Sequence, residues 1–310
     1  MILNTGSRTD IPAFYSEWFA NRLREGFVCA RNPFRPELVT RYRLDPQVVD
    51  LVVFCTKNPA PMLTHMDLLA PYRQFWFVTI TPYGPEIEPG VPDKLRVMES
   101  FRRLSEIVSP RCMGWRYDPI FVDETYTVQE HIRRFERMAG FLEGSVSHVV
   151  ISFVDMYEKT KKNFPSLRPV RRAERQELMA AMADIGARRG MRLSACLEGE
   201  EPAAYGIDTG GCMSRAVLER ALGEELLIPA GLAPAREGCR CLLGSDIGAY
   251  NSCAHFCRYC YANYDREAVE RNRALHDPAS PLLIGHLQPE DIVRDARQSS
   301  WLTGQLKLEL

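Results

Sequence analysis

Three cysteines stand close together near the C-terminal end: Cys253, Cys257 and Cys260, in "NSCAHFCRYCYAN" (251–263). Their order is Cys-x-x-x-Cys-x-x-Cys, with Tyr259 just before the last. Thiolates are soft ligands, suited to zinc or to iron–sulfur clusters. Structural zinc prefers four ligands, commonly in two pairs. An unpaired triplet suits a cubane cluster that takes three thiolates and leaves one iron open to a non-protein ligand. The ten cysteines are unevenly spread, and four more, Cys196, Cys212, Cys239 and Cys241, precede the triplet. They are candidates for a second cluster with no open site, for a structural zinc, or for unconnected thiols. Cys29, Cys55 and Cys112 lie in or beside apolar stretches and read as core packing.

Polar residues recur where apolar runs end. "ILNT" runs into Ser7, Thr9 and Asp10, and "VVFC" into Lys57 and Asn58. "FVTIT" is followed by Tyr83 and later Glu88, and "GWRYDP" carries Arg116 and Asp118. "ISF" leads to Asp155, and "SAC" to Glu198. At the C-terminal ends of parallel strands such residues converge on one face, where sites are built. Lys57, Arg116, Asp118 and Glu198 are the candidates for a catalytic or pocket role, with Asn58, Tyr83 and Asp155 beside them. Taken singly, each could be a cap or a structural ion pair; Asp10 before Ile11-Pro12 reads as an N-cap.

The elements that position these residues are legible as alternation. Candidate strands are "ILNT", "DLVVFCT", "QFWFVTIT", "CMGWRY", "HVVISFV", "MRLSAC" and "CLLGSDIG". Between them lie amphipathic stretches. "PDKLRVMESFRRLSEIV" places Leu95, Met98, Phe101, Leu104 and Ile107 on one helical face. "TVQEHIRRFERMAGFLE" opens with Thr127 and Glu130, a capping-box spacing. "RRAERQELMAAMADIGARRG" stops at Gly190, and "IPAFYSEWFANRLREG" reads as one helix with Pro12 near its first turn and Gly26 beyond its end. Strand–helix alternation predicts a parallel α/β sheet. Seven units fit a TIM-like barrel, closed or partly open, with a doubly wound sheet as the alternative. "GFVCARNPFRPELVTRYRL" reads as an inserted β-hairpin. The simplest organisation is one structural unit: residues 1–235 as barrel body, and 236–310 as the last strand and cysteine-bearing region.

Composition narrows the partners. Hydrophobic residues are 45% and charged residues 25%, the balance of a globular chain. A net charge of −1 supplies no global field for nucleic acid. Local basic runs exist at Lys159, Lys161 and Lys162 and at Arg168, Arg171 and Arg172, and read first as solvated surface. No apolar run is long enough to span a bilayer, and "MILNTGSRTD" lacks a signal-peptide pattern. A cytoplasmic setting is expected.

With Tyr259 ahead of its last cysteine, the triplet resembles the cluster motif of the radical S-adenosylmethionine superfamily. "CRYCYAN" is especially similar to the version in the spore photoproduct lyase-like branch. The chain is also similar, nearly end to end, to the family called domain of unknown function 1848, through "SRTDIPAFYSEWF", "RNPF", "TKNPAPM", "TPYG", "WRYDPI", "YGID", "CRCLLGSDIGAYNSC" and "CRYCYAN". The likeness implies a 4Fe-4S cluster on Cys253, Cys257 and Cys260 whose open iron binds S-adenosylmethionine. It further implies reductive cleavage to a 5′-deoxyadenosyl radical, with an electron donor such as flavodoxin or ferredoxin. Asn251 and Tyr259 flank the motif, Tyr259 as a candidate to pack on the adenine. In the superfamily the motif follows the first barrel strand; here it follows "LLGSDIGAY", at the end of the series. A circular permutation accounts for this, with "SDIGAY" as first strand and "ILNTGSRTD" as second. By position, Ser7, Thr9 and Asp10 become candidates to hold the cofactor's amino group. Cys196, Cys212, Cys239 and Cys241 are then candidates for an auxiliary cluster. Two other classes stay open: a non-enzymatic iron–sulfur electron-transfer or redox-sensing protein, and a zinc-stabilised nucleic-acid binder.

Overall fold

The computed structural model describes residues 1–230, 238–242 and 245–306. In chain order the strands begin with β1 (Ile2–Asn4), β2 (Phe27–Arg31), β3 (Leu38–Arg43) and β4 (Leu51–Thr56). There follow β5 (Gln74–Thr79), β6 (Met113–Ile120), β7 (His148–Phe153) and β8 (Arg192–Ala195). The last are β9 (Glu224–Leu226), β10 (Ser245–Asp246), β11 (Ile292–Asp295) and β12 (Leu302–Leu306).

Seven of them form one sheet in the order β10-β1-β4-β5-β6-β7-β8. Every neighbouring pair in it is parallel. Parallel sheets are covered on both faces, so their strands are apolar on both. The composition of β4 and β7 follows that rule, and all six residues of β7 are buried. Phe54 and Trp76 stack at 3.9 Å across β4 and β5, and Trp115 stacks on Phe135 at 4.8 Å. All seven runs read as strands from sequence lie in this sheet. Part of "CLLGSDIG", Leu243 and Gly244, falls outside the described residues, as does the 235/236 boundary.

The closed form of the barrel is not formed. β8 and β10 are the two ends of the strand order and do not pair with each other. Among the described residues, isolated contacts stand on this side in place of a ladder. Asp208 makes a one-residue parallel bridge to Ser194 of β8, and Leu242 donates from its backbone to Met213.

The crossovers carry the predicted helices, with two corrections. The helix Lys94–Val108 is capped by Asp93, whose side chain accepts from the Leu95 amide at 3.0 Å. It buries Val97, Phe101 and Leu104, while Leu95 and Ile107 are 48% and 55% exposed. Its apolar face is therefore rotated from the predicted one, because the helix enters at Lys94 and packs along the Val97–Phe101–Leu104 line. The single helix predicted from Ile11 breaks at Tyr15 into Ile11–Phe14 and Ser16–Glu25. Tyr15 leaves the helical region there and donates from its hydroxyl to the Ser252 carbonyl at 2.6 Å. Gly26 ends the second piece at φ 76°, a left-handed cap that favours glycine. Val128–Leu142 starts at Thr127, whose hydroxyl accepts from Glu130. Arg172–Arg188 packs against it.

β2 and β3 form the expected hairpin, extended by β11 alongside β3. β9 pairs antiparallel with β12. No helix among the described residues is long and apolar enough to cross a membrane.

Candidate functional site

Because all seven strands run the same way, their C-terminal ends share one edge of the sheet. The triplet, Cys196 and most of the polar candidates follow strand ends there, whereas Arg116 and Asp118 lie within β6, and Cys239 and Cys241 precede β10. The triplet follows β10, and its loop is tied to the neighbouring strand ends by named bonds. Tyr15 holds the Ser252 carbonyl, and the Ser252 hydroxyl donates to Thr9 at 2.8 Å. His255 sets Nε2 against Asp10 at 2.8 Å and Nδ1 against the Gly90 carbonyl at 3.0 Å. The amides of Gly90 and Arg258 donate to the carbonyls of His255 and Ile87. A Cβ on Gly90 would lie 2.1 Å from the Ala254 carbonyl oxygen, so only glycine permits this approach. Asn251 and Phe256 stand at φ 54° and 53°. Asn tolerates that region, but for a bulky Phe it is a strained position held by its surroundings.

Cys257 is buried, Cys253 and Cys260 are half-buried, and the three lie close enough to act on one another's charge. Burial pushes all three up, Cys257 to about 12. On Cys257 the nearby Lys57 charge opposes that rise. Cys260 Sγ accepts from the Ala262 amide at 3.3 Å. Such a set is protonated when bare and would hand its sulfurs to a thiophilic metal as thiolates. Among the described residues no group of three or more His, Cys, Asp or Glu side chains is already arranged to hold a metal ion. The donor chemistry of the triplet nevertheless fits a soft metal centre. The neighbouring hard ligands, Asp10 and His255, are engaged with each other.

Behind the triplet lies a charged hub that pattern reading left without a role. Glu88 is buried and accepts from Lys57 Nζ at 2.8 Å and from the Thr81 hydroxyl at 2.7 Å. Lys94 and the Tyr259 hydroxyl also bond to it. Burial alone would raise the Glu88 carboxyl, but Lys57 and Lys94 overcome it and hold it down at about 2. Burial together with the Lys57 charge pulls Lys94 down, against the attraction of Glu88. The Lys57 ammonium also sits 5.6 Å from the Tyr259 ring centroid. The sequence offered only a weak signal, a glutamate between Ile87 and Pro89 in "TPYGPEIEPG", which also holds Glu86. Glu86 instead receives the Tyr126 hydroxyl.

Three members of the second cysteine set gather between the segment after β8 and the segment before β10. Cys212 Sγ lies 3.8 Å from Cys196 Sγ and 3.3 Å from Cys241 Sγ. Arg116 reaches Cys212 Sγ at 3.4 Å and forms an ion pair with Asp118. A cavity of about 270 Å³ opens beside Cys196, Cys239 and Cys241, with Glu198 on its wall. It lies away from the triplet.

The remaining candidates have local partners. Asp10 caps the helix Ile11–Phe14 through the Ala13 amide at 3.0 Å and accepts from the Lys57 amide at 2.7 Å. Ser7 donates its amide to Asp246 at 2.8 Å, and its carbonyl accepts from the Tyr261 hydroxyl. Asn251 Oδ1 accepts from the Tyr264 amide. Asn58 bonds within its own turn, to Ala60. Glu198 accepts from the Phe153 amide at 2.7 Å and pairs with Arg175 at 2.9 Å. Asp155 accepts from Tyr157. Tyr83 does not line a pocket: it is buried, stacked on Phe121 at 4.3 Å, with its hydroxyl bonded to Pro119 and Phe121. Cys29 is buried with Val39 and Leu282, and Cys55 and Cys112 pack against the main core.

A family model described as "Domain of unknown function (DUF1848)" matches residues 2–262. No curated protein and no solved structure matches the chain.

Proposed function

We propose that this chain, which belongs to the domain of unknown function 1848 family, is a radical S-adenosylmethionine enzyme on a permuted, partly open α/β barrel. One observation carries the reading. β10, the strand that leads into the cysteine triplet, pairs in parallel with β1, Leu3 opposite Ser245 and Asn4 opposite Asp246. β10 then takes the place of the first barrel strand and β1 of the second. On this reading chain order differs from the superfamily's, and the β10–β1 pairing stands in for its first two strands.

Cys253, Cys257 and Cys260 would hold the 4Fe-4S cluster. When bound, that cluster supplies one electron to S-adenosylmethionine, whose cleavage yields a 5′-deoxyadenosyl radical for an unidentified substrate. The chain's own residues do the holding. Asp10 and His255 fix the loop between the first two cysteines to the end of β1, so Asp10 acts by position. Lys57 places positive charge near Cys257 and favours the thiolate. Tyr259, clamped by Glu88 and packed edge-on to Tyr83 at 6.0 Å, keeps water from the back of the loop. Ser7 and Thr9 stand at the rim between β1 and the loop. An external one-electron donor such as flavodoxin or ferredoxin completes the system.

Anaerobic reconstitution with iron and sulfide, reduction by dithionite, and chromatography of the S-adenosylmethionine products test the reading. 5′-Deoxyadenosine is the expected product. A reduced, intact cluster that leaves the cofactor whole would replace the enzyme by a non-catalytic electron-transfer protein.

A further inference from the structure

We infer that Cys196, Cys212, Cys239 and Cys241 form a mononuclear tetrathiolate zinc site that staples the open side of the sheet. The inference uses none of the triplet's residues.

Sulfur spacing selects the metal. Zinc–thiolate bonds of about 2.3 Å in a tetrahedron set a sulfur–sulfur edge of roughly 3.8 Å. The two edges at Cys212 are 3.8 Å to Cys196 and 3.3 Å to Cys241. The tetrahedron is not closed as the side chains stand, and the Cys241 and Cys239 side chains must turn to complete it. A cubane attaches each thiolate to a different iron and keeps the sulfurs out of mutual contact.

The surroundings are those of a thiolate centre and not of packed core thiols. Four thiolates on one Zn²⁺ carry a net charge of −2. The Arg116 guanidinium, 3.4 Å from Cys212 Sγ, offsets part of it. The Met213 amide donates to Cys241 Sγ at 3.3 Å, a bond that orients the ligand and stabilises its charge. Asp118 holds Arg116 in place from the other side. Cys239, the fourth sulfur, belongs to the same cavity wall as Cys196 and Cys241. As Zn²⁺ binds, each thiol releases its proton to solvent and no electron moves.

The site's position gives it a task. Cys196 directly follows β8, and Cys241 lies four residues before β10. These are the strands left unpaired with each other at the two ends of the sheet. Zinc would join them through sulfur where no backbone ladder does.

Metal analysis of anaerobically purified, unreconstituted protein tests the inference. One zinc per chain is expected, retained in Cys257→Ser and lost in Cys212→Ser and Cys241→Ser. Cobalt(II) added to metal-stripped wild type should give the intense visible bands of tetrahedral cobalt thiolate. Should the serine variants fail to fold, the wild type suffices: chelation of its zinc should speed tryptic cleavage after the already exposed Arg240, as the segment it holds loosens, with the far-ultraviolet spectrum unchanged. Iron and sulfide that vanish with Cys212→Ser would overturn the site in favour of a second cluster. So would wild-type protein without metal, whether its thiols titrate as free or as a Cys212–Cys241 disulfide. The cofactor-cleavage assay depends on the triplet, so each idea can fail alone.

Discussion

Replacing Glu88 by Gln keeps the size of the side chain and removes its charge. In the folded protein Glu88 is fully buried and is the counterion of two lysines, whose side chains are 13% and 21% exposed. Removing one partner of a buried pair costs about 3–5 kcal/mol, because the remaining charge is stranded. A second route gives a similar size. The carboxyl stands at about 2 in place of an ordinary 4.5, and that displacement corresponds to roughly 3 kcal/mol of folding free energy. Taking about 2 cal/mol/K of unfolding entropy per residue, such a loss lowers the midpoint of this chain by roughly 5–8 °C. The sign with pH follows from the depressed value. The contribution is fully present above 4.5, shrinks as pH falls, and is gone below about 2. Differential scanning fluorimetry of both proteins between pH 7 and pH 3 reads it. The gap should be widest at neutral pH and close steadily in acid. Equal midpoints at pH 7 would refute the reasoning, since they would mean that Lys57 and Lys94 find water without penalty.

Alanine at Cys253, Cys257 or Cys260 should abolish 5′-deoxyadenosine formation with the circular dichroism spectrum preserved; Cys29→Ala should keep cleavage and cost about 1–2 kcal/mol in urea titration. Gly90→Ala drives a methyl into the Ala254 carbonyl; it should destabilise by about 1–3 kcal/mol in the same titration and lower iron retention after reconstitution. Asp10→Ala removes the acceptor of the Ala13 and Lys57 amides and of His255; a loss of about 2 kcal/mol is expected, together with faster proteolysis of the triplet loop. Trp76→Ala opens a hole under the stacked Phe54 and should cost about 3–5 kcal/mol without changing iron content.

Local chemistry was readable and its assembly was not. The apolar runs of β4, β5 and β7 announced buried parallel strands, and Thr127 and Gly26 marked helix ends by mechanisms confined to a few residues. Leu95 and Ile107 misled, because helical periodicity fixes an angular relation and not which side meets the sheet. Tyr15 broke a predicted helix through a bond to Ser252, which is 237 residues away. Glu88 was noticed as polar, but its weight depends on Lys57 and Tyr259 arriving from the ends of β4 and β10 to join Thr81 and Lys94 of its own connection. The gathering of Cys196, Cys212 and Cys241 was likewise a matter of topology; spacing grouped them and could not choose a metal.

The pairing of β10 with β1 has a consequence for synthesis. Of the strands in this sheet β1 is made before the others, and its outer hydrogen-bonding edge stays vacant until Ser245 and Asp246 are made. For most of translation the nascent chain therefore carries an unpaired parallel edge, a template that other chains can extend. β1 answers this by being only three residues long. A chain ending before Ser245 keeps that edge permanently open, and its expected fate is self-association.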